Sequence, residues 1–403
     1  MLGAIRLGLM MALALTGCAS LSLREVVPER HAGAAAIPGM QEVRTWGDAG
    51  AAVVANFLKQ EGARLRAKYA ARGKDGRMPE AHMLAISGGA DDGAFAAGLL
   101  VGWSQRGDRP QFDLVTGISA GALTAPFAFL GKDYDRELTG LFLEHGDDDI
   151  YQATVLEGLF GGNAVADSEP LARLIATYVD HRMLGRIGAE RAKGRVLLVG
   201  TTNLDAQRPV YWDMGRIALS REPDALALFR QVLLASASIP GVFPPVHIKV
   251  IADGRIYEEM HVDGGPTHQV FFTPADFDFR DLDAVIGRPV ARHLWVIRNG
   301  KIAPEYTAVS ESALAIAGRS LETLTKSQGV GDLARMYAKT RAEGIDFNLA
   351  YIPGDFRAPR AAPFDRRYMR ALFERARTLA RTGYPWAKVP PDLELQHSAA
   401  SRP

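Results

Sequence analysis

The run Phe112-Asp113-Leu114-Val115-Thr116 leads directly into Gly117-Ile118-Ser119-Ala120-Gly121-Ala122-Leu123. A short apolar and β-branched stretch ending in G-x-S-x-G, with small residues suited to a helix start behind it, predicts a strand, a tight turn and a helix. The turn restricts its own neighbours, because a Cβ at either flank collides with the chain as it reverses. Gly117 and Gly121 supply that room, forming a nucleophile elbow with Ser119 at its tip. There the unpaired N–H groups and the dipole of the helix favour a developing negative charge. The same grammar occurs upstream in Met83-Leu84-Ala85-Ile86-Ser87-Gly88-Gly89-Ala90-Asp91-Asp92-Gly93-Ala94-Phe95. Successive N–H groups in such a glycine-rich turn can converge on an oxyanion. A phosphate loop fails as a reading, since neither Gly-Lys-[Ser/Thr] nor G-x-G-x-x-G is present. A purely structural turn is the bland alternative.

Further strands are expected at Val196 to Val199 and Leu294 to Ile297, alternating with helical patterns, which argues for an α/β fold with a largely parallel sheet. Val53, Val54, Phe57, Leu58 and Leu65 give an amphipathic helix over Ala51 to Ala71. Ala308 to Glu343 is helical in pattern, with a break expected near Gly329-Val330-Gly331. Asp365 to Arg381 carries six arginines beside Tyr368, Leu372, Phe373 and Leu379. Such a helix can lie on an anionic membrane, but Asp365 and Glu374 among the arginines favour the solvated face of a packing helix. With 403 residues, 47% of them hydrophobic, the chain can bury one large core or two small ones. A net charge of +1 carries no field that would draw nucleic acid, so no nucleic-acid partner is expected.

The N-terminus, MLGAIRLGLMMALALTGCAS, has a basic residue at Arg6 and an apolar run from Leu7 to Leu15. That is the layout of an export signal, and the run falls short of the ~20 residues needed to span a bilayer. Leu15-Thr16-Gly17-Cys18 resembles the lipobox of bacterial lipoproteins, which implies cleavage before Cys18, lipidation of Cys18 and residence in the cell envelope. Ala19 and Ser20 point by the same analogy to the outer membrane. The single cysteine also excludes an intramolecular disulfide.

A nucleophilic serine needs a base. Glu259-Met260-His261-Val262-Asp263-Gly264-Gly265-Pro266-Thr267-His268 offers both an aspartate and histidines, and Gly264 and Gly265 form a turn that can present Asp263. Asp253-Gly254 is a weaker candidate of the same kind. On residue type alone the choice stays open.

Together these segments resemble the bacterial patatin-like phospholipases, acyl hydrolases that use a Ser-Asp dyad. The glycine-rich loop from Ser87 to Gly93, the elbow from Gly117 to Gly121 and Asp263-Gly264-Gly265 match in order over about 180 residues. Ala235-Ser236-Ala237-Ser238-Ile239-Pro240-Gly241-Val242-Phe243-Pro244-Pro245 is similar to a further family stretch. The resemblance implies a three-layer α/β fold, with Ser119 as nucleophile, Asp263 as base and amides near Gly88, Gly89 and Ala90 as oxyanion hole. It implies phospholipid or lysophospholipid substrates and no cofactor. Two positions depart from it. Ala90 replaces the usual third glycine, and its N–H can serve if φ is negative; Asp92 replaces a basic residue. Beyond Gly265, Thr267, His268 and Gln269 replace asparagines, leaving His268 as a possible modifier of the base.

The organisation expected is a signal peptide (1–17), a tether (18–47), an N-terminal helix and loop (48–80), a catalytic domain (81–345), a C-terminal helical extension (346–389) and a disordered tail (390–403). No metal is expected. The acidic run Asp147-Asp148-Asp149 lacks the alternating oxygen ligands of a calcium loop and reads as a solvated turn. Two other functions compete. One is an α/β-hydrolase triad completed by a later histidine such as His293; the other is a non-catalytic lipid- or partner-binding lipoprotein. Nothing in the sequence addresses oligomeric state.

Overall fold

The computed structural model describes residues 24–70, 76, 78–146, 152–153 and 166–393. Its central sheet has nine strands: β1 (Arg44–Trp46), β2 (Ala81–Ile86), β3 (Leu114–Gly117), β4 (Val196–Asn203), β5 (Arg208–Asp213), β6 (Val246–Ala252), β7 (Arg255–Asp263), β8 (Arg292–Arg298) and β9 (Asp346–Tyr351). Their order is β1-β5-β4-β3-β2-β8-β9. The five from β4 to β9 in that order run parallel. At the other edge β5 and β1 are antiparallel. β7 pairs with the far end of β4, Thr201 to Asn203, and β6 pairs with β7.

Residues of β2 show why the sheet is central. Leu84 and Ile86 pack into one core and Met83 and Ala85 into another, so the continuous apolar run is an alternation between two buried faces. On the first face lie α2 (Gly93–Arg106), α3 (Ala120–Leu130), α4 (Ala225–Ala237) and α7 (Arg366–Thr382), supplying Phe95, Phe127, Phe229 and Phe373. On the second lie α1 (Ala51–Ala70), α5 (Phe279–Ile286) and α6 (Ala313–Glu343), supplying Leu58, Leu282 and Leu333. This is the three-layer α/β architecture expected.

Helix α2 leads away from the glycine-rich loop, and α7 lies tightly against it. A Cβ at Gly98 would stand 2.2 Å from the Phe373 carbonyl oxygen, and one at Gly102 would stand 2.2 Å from that of Arg377. Glycine at these two helical positions lets the backbones touch. Met369, Leu372, Phe373, Ala376 and Ala380 form the buried stripe of α7, which Asp365 caps by accepting from the Arg367 N–H at 2.8 Å. The arginines therefore occupy the outer face of a packing helix.

Several sequence expectations are corrected. The described part of the proposed tether, from Arg24 onward, is packed: Ile37, Met40 and Val43 are buried, and Arg44 pairs with buried Glu259. The proposed C-terminal extension belongs to the main body, because β9 is a parallel strand of the sheet. Helix α6 runs unbroken through Gly329 and Gly331. Pro390, the first residue of the expected disordered tail, is buried. The signal segment with Cys18, the acidic run 147–149 and residues 394–403 lie outside the described residues.

Candidate active site

Strand β3 ends at Gly117, whose hypothetical Cβ would stand 2.3 Å from the Gly121 carbonyl oxygen; a Cβ on Gly121 would stand 2.3 Å from that of Ile86. The chain reverses at Ser119 with φ 55° and ψ −127°. A non-glycine residue there stores strain of order 1–3 kcal/mol. Ser236 holds the strained turn in place. Its Oγ accepts from the Ser119 N–H at 3.1 Å and donates to the Gly200 carbonyl at 2.7 Å.

Asp263 is the last residue of β7. Its N–H donates to the Ser238 carbonyl at 2.9 Å, so the Ala235-to-Ser238 segment fastens both the serine and the carboxylate. The Gly265 N–H donates to Asp263 Oδ1 at 2.7 Å. Oδ2 is buried and has no hydrogen bond of regular geometry among the described residues. Ser119 and Asp263 are only 6% and 4% exposed. Burial pushes the Asp263 carboxyl up to about 6, while the Ser119 hydroxyl and the Gly265 N–H favour its charged form. A nucleophile and base that meet loosely before substrate arrives are common in free enzymes.

The glycine-rich loop abuts the elbow, with a Cβ built on Gly88 lying 3.1 Å from Ser119 Cβ. The Gly88 N–H donates to the Gln269 carbonyl at 3.1 Å, which corrects its assignment to the oxyanion hole. Gly89 and Ala90 keep N–H groups without an acceptor among the described residues. Gly89 has φ 155°, and a Cβ there would stand 2.3 Å from the Asn299 carbonyl oxygen. Ala90 has φ 49° instead of the negative value expected, yet its N–H is left without an acceptor, so the requirement of a negative φ is corrected and the N–H stays available. A third glycine at this position would be unstrained.

Asn299 laces the loop to the sheet. Its N–H donates to Ser87 Oγ and its Nδ2 to the Ser87 carbonyl, both at 2.8 Å, and its Oδ1 accepts from the Ala96 N–H at 3.1 Å. The loop's acidic pair faces the C-terminal segment: Asp91 lies 2.7 Å from Arg360, and Asp92 accepts from the Tyr368 hydroxyl at 2.6 Å. Burial pushes Asp92 up to about 6. The departure at Asp92 thus fastens the loop to α7.

Among the described residues, none of His261, His268 and His293 completes a triad. Fully buried His261 is engaged with Thr201 Oγ1 at 3.0 Å and Glu259 at 3.1 Å. Burial opposes the charge on Glu259, but His261 and Arg44 outweigh it and hold its carboxyl at about 2. His268 Nδ1 lies 3.4 Å from the Tyr211 hydroxyl, and burial lowers its pKa. His293 pairs in register with His82 at the start of β2, whereas the elbow follows the level of Ile86. At ~3.3 Å per residue that puts it ~13 Å down the sheet, beside Asp346 and Glu80. The weaker candidate Asp253 lies in the β6–β7 turn and is exposed.

Ser236 and Asn299 are site residues that the sequence does not single out, and Gln269 stands out in it only as a departure from the resemblance. Ser236 lies inside a segment quoted for its family likeness, which was the available signal. Asn299, immediately after a strand, carried none. A cavity of about 560 Å³ lies between α1 and the sheet, lined by Phe57, Leu65, Met83, Leu114, Phe277 and Phe279; neither Ser119 nor Asp263 borders it.

A serine on a strained strand-to-helix turn, above the carboxyl ends of parallel strands, is the setting of an elbow nucleophile in an α/β fold. Residues 84–276 match the family model described as patatin-like phospholipase. The match covers a little under half of the chain, and with the serine turn it makes the protein an enzyme acting on carboxylic esters. No curated protein matches it. Among solved structures it is similar to VipD from Legionella pneumophila, with 13% identity, 78% of this chain and 70% of that one covered, and a TM-score of 0.38. It is also similar to human GIVD cytosolic phospholipase A2, with 10% identity, 85% and 64% covered, and a TM-score of 0.33.

Proposed function

We propose that the protein hydrolyses fatty-acyl esters of phospholipids or lysophospholipids through a Ser119–Asp263 dyad. The observation that carries this reading is a desolvated carboxylate beside a strained serine, with each nearby histidine engaged elsewhere. Desolvation makes Asp263 a stronger base than a surface aspartate. Asp263 takes the hydroxyl proton as Ser119 Oγ attacks the ester carbonyl, and the Gly89 and Ala90 N–H groups hold the oxyanion. Collapse breaks the ester C–O bond, and the leaving alcohol takes the proton from Asp263. Water then gives a proton to Asp263 and attacks the acyl-enzyme. Fatty acid leaves as Ser119 regains its proton.

Lipidation of Cys18, anchoring the enzyme in the cell envelope at the outer membrane, belongs to the same proposal. It would place the enzyme beside its substrate. The motif Leu15-Thr16-Gly17-Cys18 supports it.

The test is a fluorophosphonate probe on the chain from residue 19, with the labelled peptide mapped by mass spectrometry. Labelling of wild type at Ser119, lost in Ser119→Ala and cut at least a hundredfold in rate in Asp263→Asn, is the expected result. A folded wild type that takes no label refutes the hydrolase. Full labelling of Asp263→Asn refutes the dyad.

A further inference from the structure

Arg298 closes strand β8, one residue before the asparagine that laces the glycine-rich loop. It is 5% exposed, yet its guanidinium has no hydrogen bond or ion pair among the described residues, and its Nε is wholly buried and unpaired. The other buried arginines have partners: Arg191 holds Glu61 and Asp213, Arg195 holds Glu190 and Arg292 holds Asp283. A guanidinium buried without a partner is expensive, and burial accordingly lowers the Arg298 pKa, though it stays charged.

The fold makes room for this group. A Cβ at Gly329, in mid-helix on α6, would stand 2.0 Å from Arg298 Nη1. Glycine is a poorer helix former than alanine, so the position favours the arginine over the helix. Two carboxylates lie within electrostatic range, Asp332 and Asp92. Both already have other donors: Asp332 accepts from the Gln269 N–H at 2.7 Å and pairs with Arg335, and Asp92 takes the Tyr368 hydroxyl.

Position supplies the ligand. Ile297, just before Arg298, is level with Ile86 on β2, which is level with Gly117 on β3. Arg298 therefore emerges at the same edge of the sheet as Ser119. It is two strands away, ~10 Å at ~4.8 Å per strand, within the combined reach of an arginine side chain and a glycerol phosphate backbone. Gln269 bridges the gap, since its carbonyl accepts from Gly88 and its N–H donates to Asp332.

Resting on the hydrolase reading above, we propose that Arg298 binds the phosphate of a glycerophospholipid whose ester carbonyl lies at Ser119. It thereby selects phosphate-bearing over neutral esters. The planar fork of a guanidinium matches two phosphate oxygens, and the dry surroundings strengthen that pairing.

The experiment compares kcat/KM for dihexanoyl phosphatidylcholine with that for p-nitrophenyl hexanoate, which carries the same acyl chain without phosphate. The ratio is expected to fall at least tenfold in Arg298→Gln and to recover in part in Arg298→Lys. Gly329→Ala pushes the guanidinium aside without touching substrate and is expected to lower the ratio in the same direction; it decides the matter if Arg298→Gln does not fold. A wild type active on both esters, with a ratio unchanged within twofold in the folded variants, overturns the assignment of Arg298 alone. A wild type that cleaves neither ester overturns the hydrolase reading, and this one with it.

Discussion

Replacing Asp263 by asparagine should remove turnover and make the protein more stable at neutral pH. Burial disfavours the charge of the carboxyl and pushes it from the ordinary 3.8 up to about 6 in the folded chain. At 1.36 kcal/mol per pH unit, the ionised side chain destabilises the fold by about 3 kcal/mol once pH exceeds 6. Below 3.8 both folded and unfolded chains are protonated there and the penalty vanishes, so it develops as pH rises from about 4 to about 6. Asparagine keeps an oxygen for the Gly265 N–H and carries no charge. Thermal melts of wild type and Asp263→Asn from pH 4 to 8 should therefore nearly coincide at the acid end. They should diverge in favour of the variant above pH 6, with the gap approaching 3 kcal/mol in matched denaturant titrations. A variant that is less stable than wild type at pH 7.5, or equally displaced at pH 4 and 8, would refute the account of Asp263 as a desolvated charge.

Ser236→Ala strips the acceptor from the Ser119 N–H and the donor from the Gly200 carbonyl, and is expected to cost about 1–3 kcal/mol of stability and to lower kcat/KM about tenfold. Steady-state kinetics and a melt check both. Gly98→Val drives side-chain atoms into the Phe373 carbonyl; destabilisation of about 3 kcal/mol or more is expected by denaturation, with a Ser119 labelling rate that falls with it. An unchanged melt would show that α2 and α7 can part. The pH profile of kcat/KM should rise tenfold per unit to a plateau above about pH 6, as Asp263 ionises. His293→Gln should leave both midpoint and plateau where they were, and a displaced midpoint would return a histidine to the mechanism.

What was legible in the sequence was what short-range sterics determine. The elbow could be read because Gly117 and Gly121 are required by the reversal itself, whatever surrounds it. The strands around Leu84 and Val296 could be read because they are buried on both faces. Errors arose where distant contacts decide. Ile37, Met40 and Val43 follow no helical or strand period, so nothing local announced that residues 24–47 lie against the sheet. Asp346 and Asn348 gave β9 a polar look, yet it pairs in parallel with β8. The glycines of α6 read as a break until Arg298 was seen to occupy the space beside Gly329. Gly88 was assigned to the oxyanion hole because nothing near it in the chain shows that the Gln269 carbonyl, 181 residues on, takes its N–H.

The backbone contact between α2 and α7 also bears on when during synthesis the enzyme can act. The helix that carries the glycine-rich loop rests on Phe373 and Arg377, and the loop itself is pinned by Arg360 and Tyr368. The serine turn, more than 200 residues earlier, can form long before these supports leave the ribosome. A growing chain thus holds a nucleophile without a firm oxyanion loop. Helix α7 is an interlock, because the glycine-rich loop gains its supports only once residues 360–377 have been made.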